Sequence, residues 1–406
     1  MTLNGAAFIV GAYEHPTRKA DGLSVLRLHA DVAKGALADA GLGKDDIDGY
    51  FCAGDAPGLG TATVAEYLGL KLRHIDSTEC GGSAPILHVA HAAAAIAAGR
   101  CNVALITLAG RPRAMMAEAQ ARAASASAAG GKPVRAPLAL KPPDPDAPEL
   151  AFELPYGPAT QNLYAIVARR HMHEFGTTSE QFAWIKVAAS HHAQHNPRAM
   201  LRDVVTVADV INSPMVSDPL HRLDCCVMSD GGGALIVARP EIARRLKRPL
   251  VMVRGTGEAP KHAMGGQIDL SYSAAAWSGP RAFAEAGVTP ADIQYASLYD
   301  SFTITVLIQL EDLGFCPKGQ GGRFVADGGL ISGVGRLPFN TDGGGLCNNH
   351  PANRGGVTKV IEAVRQLRGE AHPAVQVKNC HLALASGIGG ALASRHTAGT
   401  LILERL

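Results

Sequence analysis

Along the chain, apolar residues fall at helical spacing, stop at a glycine, and then crowd into a short run; this happens twice. Residues 36–47 (ALADAGLGKDDI) close a helical pattern on Gly41, carry Asp46 into a turn and lead into an apolar run at 47–51 suited to a strand. Residues 282–293 (AFAEAGVTPADI) repeat this with Gly287, Asp292 and a run at 295–299. The two segments align without a gap. A match of this length can arise by chance in Ala-rich helices, but the shared order of the motifs downstream argues against it. After the first copy come Cys80-Gly81-Gly82-Ser83, an Ala-rich helix reaching Gly99 and a strand at 103–108. After the second come a Gly-rich loop with His350-Pro351, a helix over about 356–369 and a strand at 374–377. Alternating strands and helices predict an α/β fold of mainly parallel sheets covered by helices, with two copies of one unit forming a pseudo-twofold sandwich.

Between the copies, residues 112–205 break the pattern. The stretch 133–148 (PVRAPLALKPPDPDAP) is too Pro-rich for regular structure, and a helical stretch follows at 159–195. It reads as an inserted cap over a site, the alternative being a disordered linker. The expected division is 1–250, including the cap, and 251–406.

Composition narrows the class. With 406 residues, 47% hydrophobic and a net charge of +2, the chain can bury large cores, and disorder is excluded as its dominant state. Only 5% of residues are aromatic while 46 are glycine, which suits close backbone packing rather than base-stacking surfaces. Near-neutral charge argues against nucleic-acid or anionic-membrane binding. No uncharged apolar run reaches the roughly 18 residues of a membrane span, and the N-terminus lacks the basic start of a signal peptide. Eight cysteines without CxxC or framework spacing suit reduced thiols, so the expectation is a cytoplasmic protein.

Cys80 precedes a helix, where the macrodipole and free N–H groups favour a thiolate; on these residues alone, a buried cysteine beside a glycine turn is the more ordinary reading. His350 holds the matching place in the second half, and in a pseudo-twofold fold the two loops can converge on one centre. A histidine beside a thiol can serve as base or as electrophile. Tyr299-Asp300-Ser301-Phe302 follows the second repeat. A Gly387-Ile388-Gly389-Gly390 turn near the C-terminus can offer N–H groups to an oxyanion. Nucleotide-binding glycine motifs are absent. The 16 histidines, His191, His192 and His195 among them, show no set of three or four convergent ligands, so no metal and no bound redox cofactor are expected.

In this order the motifs resemble the thiolase superfamily, and within it the sterol-carrier-protein type of thiolase with its bacterial lipid-transfer-protein-like relatives. Glu153-Leu154-Pro155-Tyr156-Gly157, the RRHMHEFGTTSEQ and HAQHNP stretches, and Leu223-Asp224-Cys225-Cys226 before Ser229-Asp230-Gly231-Gly232 look like the same branch. The resemblance implies a five-layer αβαβα fold, a coenzyme A thioester as substrate and a homodimer. It makes Cys80 the acyl-accepting nucleophile, His350 its activator, and the N–H groups of Cys80 and Gly389 an oxyanion hole. The departures carry as much information. The family's second catalytic cysteine falls on Gly387, its His-Asp-Cys-Phe motif reads Tyr299-Asp300-Ser301-Phe302, and its Gly-His-Pro reads Asn349-His350-Pro351. A serine hydroxyl is a poor substitute for a thiol in proton abstraction at neutral pH, whereas Cys347 and Cys380 lie near these loops.

Three functions follow from the resemblance. Retention of Cys80 and His350 favours an acyl-CoA-dependent acyltransferase that makes or breaks a carbon–carbon bond through a Cys acyl intermediate. The Tyr299/Ser301 substitution favours a retro-aldol lyase acting on a β-hydroxyacyl-CoA of the steroid side-chain type, with Tyr299 as base and a small OB-fold and zinc-ribbon partner protein. A lipid carrier that has lost catalysis is the third.

Overall fold

The computed structural model describes residues 2–53, 56–128, 154–157, 159–261, 269–393 and 396–406. The Pro-rich stretch at 133–148 lies outside them.

The repeat is visible in its smallest details. The helices Val25–Ala40 and Ala275–Ala286 end on Gly41 and Gly287, both left-handed at φ 70° and 64°. In the following turns Asp46 accepts from the Gly43 N–H and Asp292 from the Thr289 N–H, each at 2.8 Å. One aspartate per copy thus closes the turn that feeds a strand.

Among the described residues, eleven strands form: β1 (Phe8–Glu14), β2 (Gly49–Phe51), β3 (His74–Asp76), β4 (Val103–Gly110), β5 (Met215–Ser217), β6 (Leu220–His221), β7 (Gly231–Ala238), β8 (Val251–Lys261), β9 (Tyr295–Leu298), β10 (Leu382–Gly390) and β11 (His396–Arg405). Nine make one sheet in the order β3-β2-β4-β7-β1-β8-β11-β10-β9, and β5 pairs with β6 alone. By position in the repeat, β2, β4, β7 and β1 answer to β9, β10, β11 and β8, so the order runs outward from the β1–β8 join as a mirrored sequence. That is the pseudo-twofold. The sheet is mixed rather than mainly parallel: of these strands only β2–β3, β2–β4 and β9–β10 run parallel. The reason is local. β11 turns straight back from β10 and pairs with it over nine residues, a connection that only an antiparallel pair permits.

The helices Ala84–Ala97 and Gly356–Arg368 pack on each other and between the two halves of the sheet, while Val25–Ala40 and Ala275–Ala286 cover the outer faces. Three apolar clusters fill the gaps of this helix–sheet–helix–sheet–helix stack. Alanine at 92, 93 and 95 belongs to the middle cluster, where a helix caught between two sheet faces has room only for small side chains. Two strand expectations are corrected. Residues 374–377 form no strand: a turn at 373–375, in which the Val375 and Gln376 N–H groups donate back to the His372 carbonyl, takes their place, and the strand after the helix is β10. Gly387–Gly390 is the end of β10 itself rather than a turn beyond it.

Candidate functional site

A cavity of about 490 Å³ opens where the two central helices begin. Its walls include Gly82, Tyr164, Cys225, Cys226, Met228, Tyr299, Ser301, Phe302, His350, Ile388 and Gly390. Of the residues anticipated as catalytic, Tyr299, Ser301 and His350 meet here. Cys80 and Gly389 do not line the cavity.

The backbone around Cys80 explains its displacement. Cys80 precedes a 3-10 turn, Gly81–Ser83, that leads into the Ala84–Ala97 helix. Its carbonyl oxygen accepts from Ser83 Oγ at 2.7 Å and Thr397 Oγ1 at 3.1 Å and presses on Gly389, leaving no space for a Cβ at Gly389. The Cys80 thiol is raised above its ordinary pKa by burial and then by the carboxylates of Glu79, Glu258 and Asp76. This is the opposite of what thiolate formation needs. The residue of this loop that reaches the cavity is Gly82, where a Cβ would overlap the Tyr299 ring and the Ile388 carbonyl oxygen. Gly81 has φ 62°, and a Cβ there would come 2.9 Å from the Gly390 nitrogen. The double glycine therefore lets the loop touch both Tyr299 and the end of β10. Gly82→Ala is expected to cost about 1–3 kcal/mol by overpacking, read as a lower urea midpoint at unchanged slope; wild-type stability would contradict this packing.

Tyr299 and His350 face each other as an edge-to-face pair with ring centres 5.4 Å apart. Tyr299 is 4% exposed, and burial, then Tyr164, Cys226 and Asp300, holds its phenol well above the ordinary range. It stays protonated. His350 is pushed down to about 4, first by burial and, against the raising pull of Asp300, by Lys359. It is neutral, and its Nε2 is buried with no hydrogen-bond partner among the described residues. Asp300, despite its place between Tyr299 and Ser301, is fully committed: it accepts from the Gly345 N–H at 2.8 Å, the Leu346 N–H at 3.2 Å and Lys359 Nζ at 2.6 Å. Its work is to tie the loop carrying His350 to the helix Gly356–Arg368.

Ser301 Oγ pairs with Thr305 Oγ1 at 3.0 Å and lies beside the Tyr164 phenol. Tyr164, from the helix Thr160–Phe175, stacks on Phe302 with ring centres 4.4 Å apart and donates to the Gly390 carbonyl at 3.2 Å. Burial raises its phenol to about 12. Part of the inserted region therefore does reach the site, through Pro112, Thr160, Gln161 and Tyr164, but residues 216 and 225–228 supply as much of the wall. Tyr164, Cys226 and Gly82 were missed by sequence reasoning. The Cys225-Cys226 pair was visible as a motif without a role, and nothing local singles out Tyr164. Burial pushes the Cys226 thiol far up and the Cys225 thiol to about 12, so both remain thiols. Cys347 is buried beside Lys186 and Cys380 lies near Arg405; neither lines the cavity.

Among the described residues, no group of three or more His, Cys, Asp or Glu is placed to hold a metal ion, and no helix is long and apolar enough to cross a membrane.

Comparison with known proteins identifies the family. Residues 257–405 match the family described as "Thiolase C-terminal domain-like". The 17-hydroxy-3-oxo-4-pregnene-20-carboxyl-CoA lyase of Mycobacterium tuberculosis is 36% identical over 404 residues, covering 95% of this chain and 97% of that one. An acetyl-CoA acetyltransferase of Methanothermobacter thermautotrophicus is 34% identical over 360 residues, 88% of this chain and 89% of its own. Among solved structures, the Ltp2-ChsH2(DUF35) aldolase superposes with a TM-score of 0.85 at 32% identity, covering 99% of this chain and 98% of that one. The chain belongs to the thiolase superfamily, in the branch that joins the sterol-carrier-protein-type thiolases to the Ltp2-like proteins.

Proposed function

We propose that this protein is a retro-aldol lyase acting on a β-hydroxyacyl-CoA with a bulky, steroid-like acyl group, assisted by a small DUF35-type partner protein. The observation that carries this reading is the composition of the cavity: a protonated phenol (Tyr299) and a neutral imidazole with a free nitrogen (His350) share it, while the loop thiol, Cys80, lies off its wall. The similarity to a lyase whose name specifies a 17-hydroxy steroid CoA thioester, and to an aldolase complex with a DUF35 protein, supports the substrate class and the partner.

The reaction follows from those protonation states. His350 Nε2 accepts the proton of the β-hydroxyl as the bond between the carbinol carbon and the α-carbon breaks. The carbinol becomes a ketone, and the electron pair of the broken bond moves into the thioester enolate. Tyr299 donates a hydrogen bond to the enolate oxygen, and the imidazolium returns its proton to the α-carbon. No proton is lost and no covalent intermediate is needed. This reverses the role anticipated for Tyr299: a buried phenol without a nearby cation is a donor rather than a base. The cavity volume lies within the range of small-molecule sites.

The experiment is incubation of the protein, alone and with a DUF35-type partner, with 17-hydroxy-3-oxo-4-pregnene-20-carboxyl-CoA. The expected products are the 17-ketone and propionyl-CoA, formed equally well by Cys80→Ala. Loss of turnover in Cys80→Ala, together with an acyl adduct on Cys80 in the mass spectrum, would replace this reading by the acyltransferase one. That second reading is favoured by the similarity to acetyl-CoA acetyltransferase.

A further inference from the structure

His350 is held in place from the other half of the molecule. Its own N–H donates to Ser229 Oγ at 2.9 Å, and the Ser229 N–H returns a longer bond of 3.4 Å to the His350 carbonyl. Ser229 Oγ in turn donates to Asn349 Oδ1 at 2.6 Å. The other end of that carboxamide, Asn349 Nδ2, donates to Glu14 Oε1 at 2.9 Å. Glu14 sits at the end of β1, 5% exposed, and is braced by Arg18 Nη2 at 2.7 Å and by Asn348 Nδ2 at 3.3 Å. Arg18 also grips the loop directly, through the Asn348 carbonyl at 3.2 Å and Asn348 Oδ1 at 2.8 Å.

Four features distinguish this from ordinary loop packing. Asn349 and Ser229 are 1% and 0% exposed, so solvent cannot replace their bonds. Both ends of one carboxamide are used, which fixes its flip. The chain of bonds ends on the backbone of His350, which lines the cavity and whose buried Nε2 has no hydrogen-bond partner among the described residues. The segment bearing Ser229 also registers the opposite wall, since the Cys226 N–H donates to the Ser301 carbonyl at 2.9 Å and the Val227 N–H to the Gly345 carbonyl at 2.9 Å. One short segment therefore sets the distance between the Tyr299–Ser301 loop and the His350 loop.

We propose that Asn349 is a positioning residue: braced by Glu14 and acting through Ser229, it sets the place of the His350 imidazole opposite Tyr299. This rests on the retro-aldol reading for its kinetic consequence, but the geometry it claims does not. A displacement of about 1 Å at a catalytic base costs on the order of 10²-fold, and a glycine or alanine at 349 has no side chain to hold the Ser229 hydroxyl toward the His350 N–H.

The test uses Asn349→Ala, Ser229→Ala and Glu14→Gln in the full chain with its partner, on 17-hydroxy-3-oxo-4-pregnene-20-carboxyl-CoA. Asn349→Ala and Ser229→Ala are expected to lower kcat about 10–100-fold with KM unchanged, the pattern of a loss confined to the transition state. Glu14→Gln retains an acceptor oxygen for Asn349 and is expected to keep kcat near wild type. In parallel, the His350 imidazole is followed by nitrogen NMR in histidine-labelled protein, assigned by its loss in His350→Gln. Its signal is expected to move in Asn349→Ala and to stay in Cys80→Ala. If the wild type gives no cleavage, the functional reading fails, and the NMR signal alone still decides the positioning claim. Unchanged kcat with an unmoved imidazole signal overturns the proposal, as does an effect on KM alone. If Asn349→Ala does not fold, Ser229→Ala, which removes the hydroxyl that links Asn349 to the His350 N–H, carries the same test.

Discussion

Tyr299→Phe is expected to lower kcat for carbon–carbon cleavage by about 10²–10³-fold while leaving the fold intact. The substitution removes one oxygen and nothing else. The ring keeps its edge-to-face contact with His350 and its close approach to Gly82, so the packing that depends on Tyr299 is preserved. The loss is the donor to the enolate oxygen, in a site where burial keeps the phenol protonated. Removing a single preorganised donor to a developing oxyanion costs roughly 10²–10³ in comparable sites. Ser301→Ala should be milder, because the Ser301 hydroxyl already pairs with Thr305. The comparison is made by steady-state kinetics, with the thermal midpoint confirming the fold. A Tyr299→Phe protein that cleaves at the wild-type rate sinks the mechanism.

A second large effect concerns acid. Among the described residues, five buried histidines are held far below their ordinary pKa, first by burial in each case: His88 and His350 at about 4, and His29, His192 and His396 at about 3. They are built in as neutral groups; His29 Nδ1, for example, pairs with Thr107 Oγ1 at 2.8 Å, and His192 Nε2 accepts from the Ser332 N–H at 2.9 Å. In the unfolded chain these rings titrate near 6.5. The unfolded state therefore binds more protons as pH falls from about 6.5 toward 4, and stability falls with it, by up to ~1.4 kcal/mol per pH unit for each ring. Five rings together remove about 7 kcal/mol per pH unit. Glu362 works the other way: held up to about 7 by burial, it is protonated in the folded state and returns one ring's worth. Against a total stability of about 5–15 kcal/mol, unfolding is expected near pH 5. Urea midpoints at pH 7.5, 6.5 and 5.5 check this, and a stability that stays level over that range would contradict it.

The duplicated unit, its glycine stops and its aspartate turns were legible because each rests on local chemistry at fixed spacing. So were Tyr299, Ser301 and His350, which stand in loops that a twofold fold must bring to its centre. The sequence marks Cys80 by its chemistry as a helix-start thiol, whereas which residue of its loop lines the cavity depends on the 3-10 turn that separates it from the helix. Two residues on, Gly82 carries no side chain and leaves no chemical trace in a sequence, yet it is the residue that meets Tyr299. Tyr164 was invisible for a different reason: its helix packs over the cavity through tertiary contacts alone. The strand directions escaped because helix–strand alternation implies parallel pairs, and the tight return from β10 to β11 cancels that implication.

The mirrored strand order has a cost in time. The two halves join where β1 lies beside β8, through only two residue pairs, Phe8 with Met252 and Ile9 with Val251. On its other side β1 pairs with β7, Phe8 meeting Ala238. During synthesis β1 thus has both of its partners more than 200 residues further along the chain. Its unpaired backbone must wait until more than half of the chain has been made, an exposed apolar edge of the kind that invites wrong pairing. The order of the sheet thus puts a long-range closure, rather than local pairing, at the join of the two halves.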